Sequence, residues 1–224
     1  MSAILVQLRI SKWEKVQNKE LNRTCTKVRA FHFANTLHWD DTGFRLLPLK
    51  NYTYYMAKVT GFFDTFRHKA DAISLDHPEE KNLRDKFSVN LNFYPIPSSE
   101  HMPINADVRL LDGIDIRAVL CIENAQAELW NRLAERLRHI SEVLSGGWNF
   151  RGSLLTELRD ECTAIGRMNF MEDNALLDFA GNVGIIFGCL DPADIRLETK
   201  LQERVAELAN TYYMACLNRG EKNE

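Results

Sequence analysis

Apolar positions recur along the chain with two distinct periods, and each period predicts a different element. Residues 86–94 (Lys-Phe-Ser-Val-Asn-Leu-Asn-Phe-Tyr) alternate strictly: Phe87, Val89, Leu91 and Phe93 face one way, and Ser88, Asn90 and Asn92 the other. That is a strand buried on one face, ended by Pro95 and Pro97. Residues 3–10 are β-branched and partly alternating, which predicts a second strand. Each strand needs a partner, so the two are expected to pair.

The rest of the chain carries the helical period. Ser11 is placed to cap a helix reaching about Ala30, with Trp13 and Val16 on its apolar side. Residues 31–48 are aromatic and then turn-forming. Asp41-Thr42-Gly43 predicts a tight turn, Trp39, Phe44 and Leu47 are expected to plug a core, and Pro48 leads into the next helix. Over residues 50–74, Tyr52, Tyr55, Met56, Val59, Phe62, Phe63, Phe66, Ala70 and Ile73 step by three or four, which predicts a strongly aromatic helix.

Residues 107–145 predict one long helix, with a bend expected at Gly113. Leu129, Leu133, Leu137, Ile140 and Leu144 form a heptad-like seam. Shorter helices are expected over 151–166 and 173–188, the latter weakened by Gly181 and Gly184. Asp191-Pro192 starts a last helix in the favoured cap-then-proline order, with Leu197, Leu201, Val205, Leu208, Tyr212 and Ala215 as its stripe. The expected fold is mainly α with a small antiparallel β element, built from long helical hairpins. It reads as a single elongated domain over 1–219, followed by a disordered tail at 220–224. Unbroken, helix 107–145 would run about 58 Å at roughly 1.5 Å per residue. Its apolar surface exceeds what neighbours in one copy can cover, so self-association is expected, with seam pairing inside one chain the default.

Charge divides the chain unevenly. Residues 1–75 hold 12 Lys and Arg against 6 Asp and Glu, whereas residues 151–224 hold 8 against 13. A basic N-terminal part (1–75) beside an acidic helical part (107–219) suits either an anionic partner or a second copy. It is equally compatible with a surface of no large-scale purpose. Lys12, Lys15, Lys19, Arg23, Lys27 and Arg29 recur every few residues and predict a basic helix face. The aromatic helix 52–66 lies near Lys50, Lys58, Arg67 and Lys69, a mixture that can stack bases and track phosphates. The competing reading is aromatics in the core and lysines in solvent.

The five cysteines (Cys25, Cys121, Cys162, Cys189 and Cys216) include no CxxC pair, which favours a reducing compartment without disulfides or structural zinc. Neither a signal peptide nor a membrane-spanning run is expected, and a cytoplasmic location follows. His38 with Asp40 and Asp41 is the best candidate for metal or proton chemistry, but Asp41 is already explained by the turn. His32, His68, His77, His101 and His139 form no HxH, HxxxH or HExxH spacing. Ser98, Ser99 and Ser153 lack a nucleophile-elbow context. Gly146-Gly147 and the residues to Gly152 lack the GK[ST] ending of a phosphate loop, so that stretch reads as a connector anchored by Trp148 and Phe150. No catalytic residue, cofactor or metal is expected.

Several segments in order resemble an uncharacterised family of phage and integrative-element proteins. They are Ile10-Ser11-Lys12-Trp13; the run from Thr36 through Trp39-Asp40-Asp41-Thr42-Gly43-Phe44 to Pro48, then Tyr52; Lys86-Phe87; Pro95-Ile96-Pro97; Leu129-Trp130-Asn131-Arg132-Leu133; Phe150-Arg151-Gly152-Ser153-Leu154; Met168-Asn169; and Ile195-Arg196. His38 stands where the family pattern has proline, and the stretch between Trp13 and Cys25 is shorter than usual. Some relatives are encoded near recombination genes or AAA-type ATPases. The resemblance implies a role in phage DNA metabolism or in the contest with host defences, in the host cytoplasm, and carries no active site.

The leading expectation is a non-enzymatic, oligomeric scaffold or adaptor whose contact residues are Trp39, Phe44, Tyr52, Tyr55 and Trp130, with a phage or host protein as partner. The alternatives are a single-stranded nucleic-acid binder using the basic face, and an inhibitor of a host defence enzyme.

Overall fold

The computed structural model describes residues 2–13, 15, 18–40, 42–78, 80–101, 107–147 and 150–220. Val16, Asp41, Trp148 and the tail beyond Gly220 lie outside the described residues. The fold is mainly helical with one small antiparallel sheet. The chain divides into two compact units, Met1–Ile122 and Glu123–Glu224.

The first unit contains β1 (Ala3–Ser11), α1 (Lys19–Ala34), β2 (Leu37–His38), β3 (Arg45–Pro48), α2 (Leu49–Asp76), β4 (Ser88–Tyr94) and the start of α3 (Val108–Ser145). The sheet order is β2-β3-β1-β4. The expected pairing of the two strands is present: β1 and β4 run antiparallel from Leu5 opposite Tyr94 to Ser11 opposite Ser88. The β2–β3 hairpin lies within the aromatic stretch and adds two strands on the other side of β1.

Alternation decides which side of the sheet is covered. Ile4, Val6, Leu8 and Ile10 of β1, with Phe87, Val89 and Leu91, join a core formed with α1 and α2. From α1 come Leu21, Cys25 and Val28, and from α2 Tyr55, Val59, Phe63, Phe66, Ala70 and Ile73. Each fully buried large side chain of this set stabilises the unit by about 1.5–3 kcal/mol. Phe93, the last apolar residue of the alternating strand, is exposed and packs against Tyr52.

The expected helix from Ser11 is corrected. Ser11 ends β1, because the ladder with β4 continues that far. The helix begins at Lys19, where Asn18 has extended dihedrals and accepts a 2.9 Å hydrogen bond from the Leu21 amide. An asparagine oxygen at this position satisfies one of the free amides of the first turn.

The second unit is helical: the rest of α3, α4 (Ser153–Met168), α5 (Asn174–Gly188), α6 (Pro192–Leu197) and α7 (Thr199–Gly220). The heptad-like residues Leu129, Leu133, Leu137, Ile140 and Leu144 are all buried within the chain. Gly184 does not simply weaken α5. It lies against α4, where a Cβ would sit 3.5 Å from that of Cys162. The single last helix expected after Pro192 is two helices. Glu198 is extended, and its carbonyl accepts from the amides of Leu201 and Gln202 to open α7. Leu197 therefore ends α6 at 85% exposure instead of joining the α7 stripe, and Val205, Ala206, Ala209 and Cys216 are the buried residues of α7.

Candidate functional site

The site in the first unit is a consequence of unequal strand lengths. β3 pairs with β1 only from Ala3 to Val6, while β1 continues to Ser11. Among the described residues, the last five of β1 have no strand neighbour on that side. A cavity of about 590 Å³ opens there, lined by Leu8, Arg9 and Ile10 of β1, Arg29, His32 and Phe33 of α1, and His38, Asp40, Gly43, Phe44 and Arg45 of the hairpin region. This is within the size range of small-molecule sites.

The wall is held by a buried polar network. Arg45 is buried, and its Nε donates to Thr36 Oγ1 at 2.7 Å and its Nη2 to the Thr36 carbonyl at 2.9 Å. The guanidinium lies 4.7 Å over the Phe33 ring. Thr36 in turn donates to the His32 carbonyl at 2.6 Å. Buried Asn51 of α2 donates to the Asn35 carbonyl at 2.8 Å. These bonds fix the end of α1 to β3 and α2, since each buried polar group would cost free energy if left unpaired.

Electrostatically the lining is basic. Among the described residues it holds three guanidinium groups against one carboxylate, and that carboxylate, Asp40, accepts from the Thr42 amide at 3.0 Å and the Thr42 hydroxyl at 2.6 Å. Arg9 donates to Gln7 Oε1. His32 Nδ1 shares a 2.7 Å hydrogen bond with Tyr55 Oη. Burial, then the charge of Arg45, lowers the His32 pKa to about 4, so the ring is neutral near pH 7. Burial pushes the Tyr55 phenol well above its ordinary range.

The six basic residues expected on one helix face are separated by the fold. Lys12 and Lys15 precede α1: Lys12 donates to Asn22 Oδ1, and Lys15 lies 5.9 Å over the Trp13 ring. Lys19, Arg23 and Lys27 form an exposed row at four-residue steps on α1. Arg29 is two residues past Lys27, which turns it away from that row, and it joins the cavity wall.

Of the five expected contact residues, three are corrected to interior positions. Trp39, Tyr55 and Trp130 are buried, so their surface is already used within the chain. Trp130 donates from Nε1 to Asp173 Oδ2 at 3.2 Å and packs on Phe179. Phe44 is half-buried in the cavity wall against Tyr94, and Tyr52 is exposed.

His38 and Asp40 both line the cavity, but among the described residues no group of three or more His, Cys, Asp and Glu is placed to hold a metal ion. All five cysteines are free. Burial raises the thiols of Cys162 and Cys216 to about 12, which makes both poor nucleophiles at neutral pH. No helix among the described residues is long and apolar enough to cross a membrane. Sequence reasoning did not single out Arg9 and Arg45 as site residues, because they come to line one cavity with Arg29 only through the β1–β3 pairing and the return of α1.

No protein-family model, curated protein or solved structure gives a significant match to this chain.

Proposed function

We propose that the protein is a non-enzymatic scaffold or adaptor of phage type that acts by self-association. The observation that carries this reading is the first half of α3, which is apolar on two sides. Ala118 and Ile122 are buried, while Val108, Ile116, Val119 and Leu120 are 69, 60, 52 and 53% exposed. Ile116, Val119 and Leu120 are three and four residues apart and so share one helix face. Contiguous exposed apolar surface of this kind marks contact sites. Arg109, Asp112 and Arg117 surround it with both signs of charge, and a second α3 laid antiparallel is an occupant that matches both features. Sedimentation of the wild type and of Leu120→Lys tests it. The wild type is expected to associate with rising concentration and the variant to remain monomeric; a wild type that sediments as a monomer throughout counts against it.

A second reading, single-strand nucleic-acid binding, draws support from the Lys19, Arg23 and Lys27 row and from the exposed rings of Phe33, Tyr52, Tyr54, Phe93 and Tyr94 in the same unit. Stacking on rings combined with phosphate contact is how such proteins hold single strands. It requires retention of oligonucleotide at low salt that falls steeply as salt rises.

A further inference from the structure

We propose that the cavity beside the open edge of β1 binds a phosphomonoester carried on a nucleotide-sized body, with Arg9, Arg29 and Arg45 as its anion-binding residues. Neither reading above is needed for this. Arg45 is buried and aligned by its two bonds to Thr36, which gives the cavity one fixed guanidinium. Arg29 is exposed and shares the lining, and among the described residues no carboxylate bonds to it or to Arg9. Guanidinium forks match phosphate oxygens two at a time. A phosphomonoester carries about −1.5 to −2 charges at neutral pH, which suits a lining in which Arg9 and Arg29 bond to no described carboxylate and the described carboxylate, Asp40, is already engaged by Thr42. A carboxylate or a phosphodiester brings only a single charge. The cavity, at about 590 Å³, is larger than a phosphate alone requires, and Phe33, Phe44, Leu8 and Ile10 supply an apolar surface for the attached group.

This chemistry has two sources, a free nucleotide and the 5′-phosphorylated end of a single strand. The probes are dTMP and an oligothymidylate of about ten nucleotides, a length within the usual single-strand footprint, in 5′-phosphorylated and 5′-hydroxyl forms. Binding to the full chain is measured by calorimetry. The 5′-phosphorylated strand, dTMP, or both should bind at least about tenfold more tightly than the hydroxyl strand, and Arg29→Ala should remove most of that difference, as expected for loss of a charge-assisted contact. Binding of dTMP as tight as that of the phosphorylated strand assigns the site to free nucleotides; preference for the strand assigns it to strand ends. Arg29 is exposed, so its variant should keep the wild-type circular dichroism, and Arg9→Ala provides a second check. Lys27→Ala, on the other side of α1 from Arg29, should leave the 5′-phosphate preference intact. Equal binding of the two strand forms with no uptake of dTMP, or a 5′-phosphate preference unchanged in both arginine variants, overturns the proposal. Equal retention of both strand forms would also leave the α1 row standing as a strand-binding surface without the cavity.

Discussion

His32 Nδ1 and Tyr55 Oη lie 2.7 Å apart, buried between α1 and α2, and the burial of this histidine makes the wall of the cavity pH-sensitive. Arg45 adds its positive charge to the desolvation of the ring, so the folded chain refuses a proton that the unfolded chain accepts. The folded pKa is depressed below 6.5, to about 4. The stability tied to neutral His32 is therefore fully present above pH 6.5 and is lost as pH falls toward 4. The loss amounts to something on the order of 3 kcal/mol. Urea titrations at pH 7 and pH 4.5 should show a larger drop for the wild type than for His32→Gln; equal drops would contradict the assignment.

Tyr55→Phe removes the only described hydrogen bond of His32 Nδ1 while keeping the ring. The unpaired nitrogen should cost about 1–3 kcal/mol. Chemical denaturation measures it, and a change below a few tenths would show that the bond contributes nothing.

Arg132 and Glu161 form a 2.8 Å ion pair in the second unit, with Glu161 almost fully buried. Burial raises the carboxyl pKa, while Arg132 and Arg136 pull it down. Arg132→Met strands that carboxyl and should cost about 3–5 kcal/mol. Adding Glu161→Leu should recover much of the loss, because replacing both partners avoids a buried unpaired charge. A double variant no more stable than Arg132→Met would contradict this account.

Two glycines should respond in opposite directions to alanine. At Gly152 a Cβ would meet Pro192 Cβ at 3.0 Å and Cγ at 3.1 Å. Neither a proline ring nor the start of α6 yields easily, so Gly152→Ala should destabilise by about 1–3 kcal/mol. Gly113 lies within α3 with nothing within 4 Å, so Gly113→Ala should stabilise by about 0.5–1 kcal/mol through helix propensity. Thermal melts give both signs.

What could be read from the chain depended on whether the determining pattern was local. The β1–β4 pair was legible because Phe87, Val89 and Leu91 alternate with polar residues in a half-buried strand. β3 was not: Arg45-Leu46-Leu47-Pro48 is buried at every position, so no alternation betrays it. The start of α1 was misplaced because Ser11 and Asn18 are both competent caps, and only the ladder with β4 chooses between them. The break at Glu198 has neither glycine nor proline to announce it. Tyr55 belongs to a regular apolar stripe and Trp130 sits beside the heptad-like seam, and neither pattern says whether an aromatic ring is already used inside the chain. The cavity was least legible, since Arg9, Arg29 and Arg45 come from three elements and share no spacing.

The central claim, that this molecule works through contact along the exposed face of α3, is tested most directly by light scattering across a dilution series. The wild type should rise from the 25.9 kDa chain mass toward twice that value at high micromolar concentration, and Ile116→Lys and Leu120→Lys should hold the single-chain mass with unchanged circular dichroism. A wild type that stays at the single-chain mass throughout, or variants that associate as it does, would contradict the account.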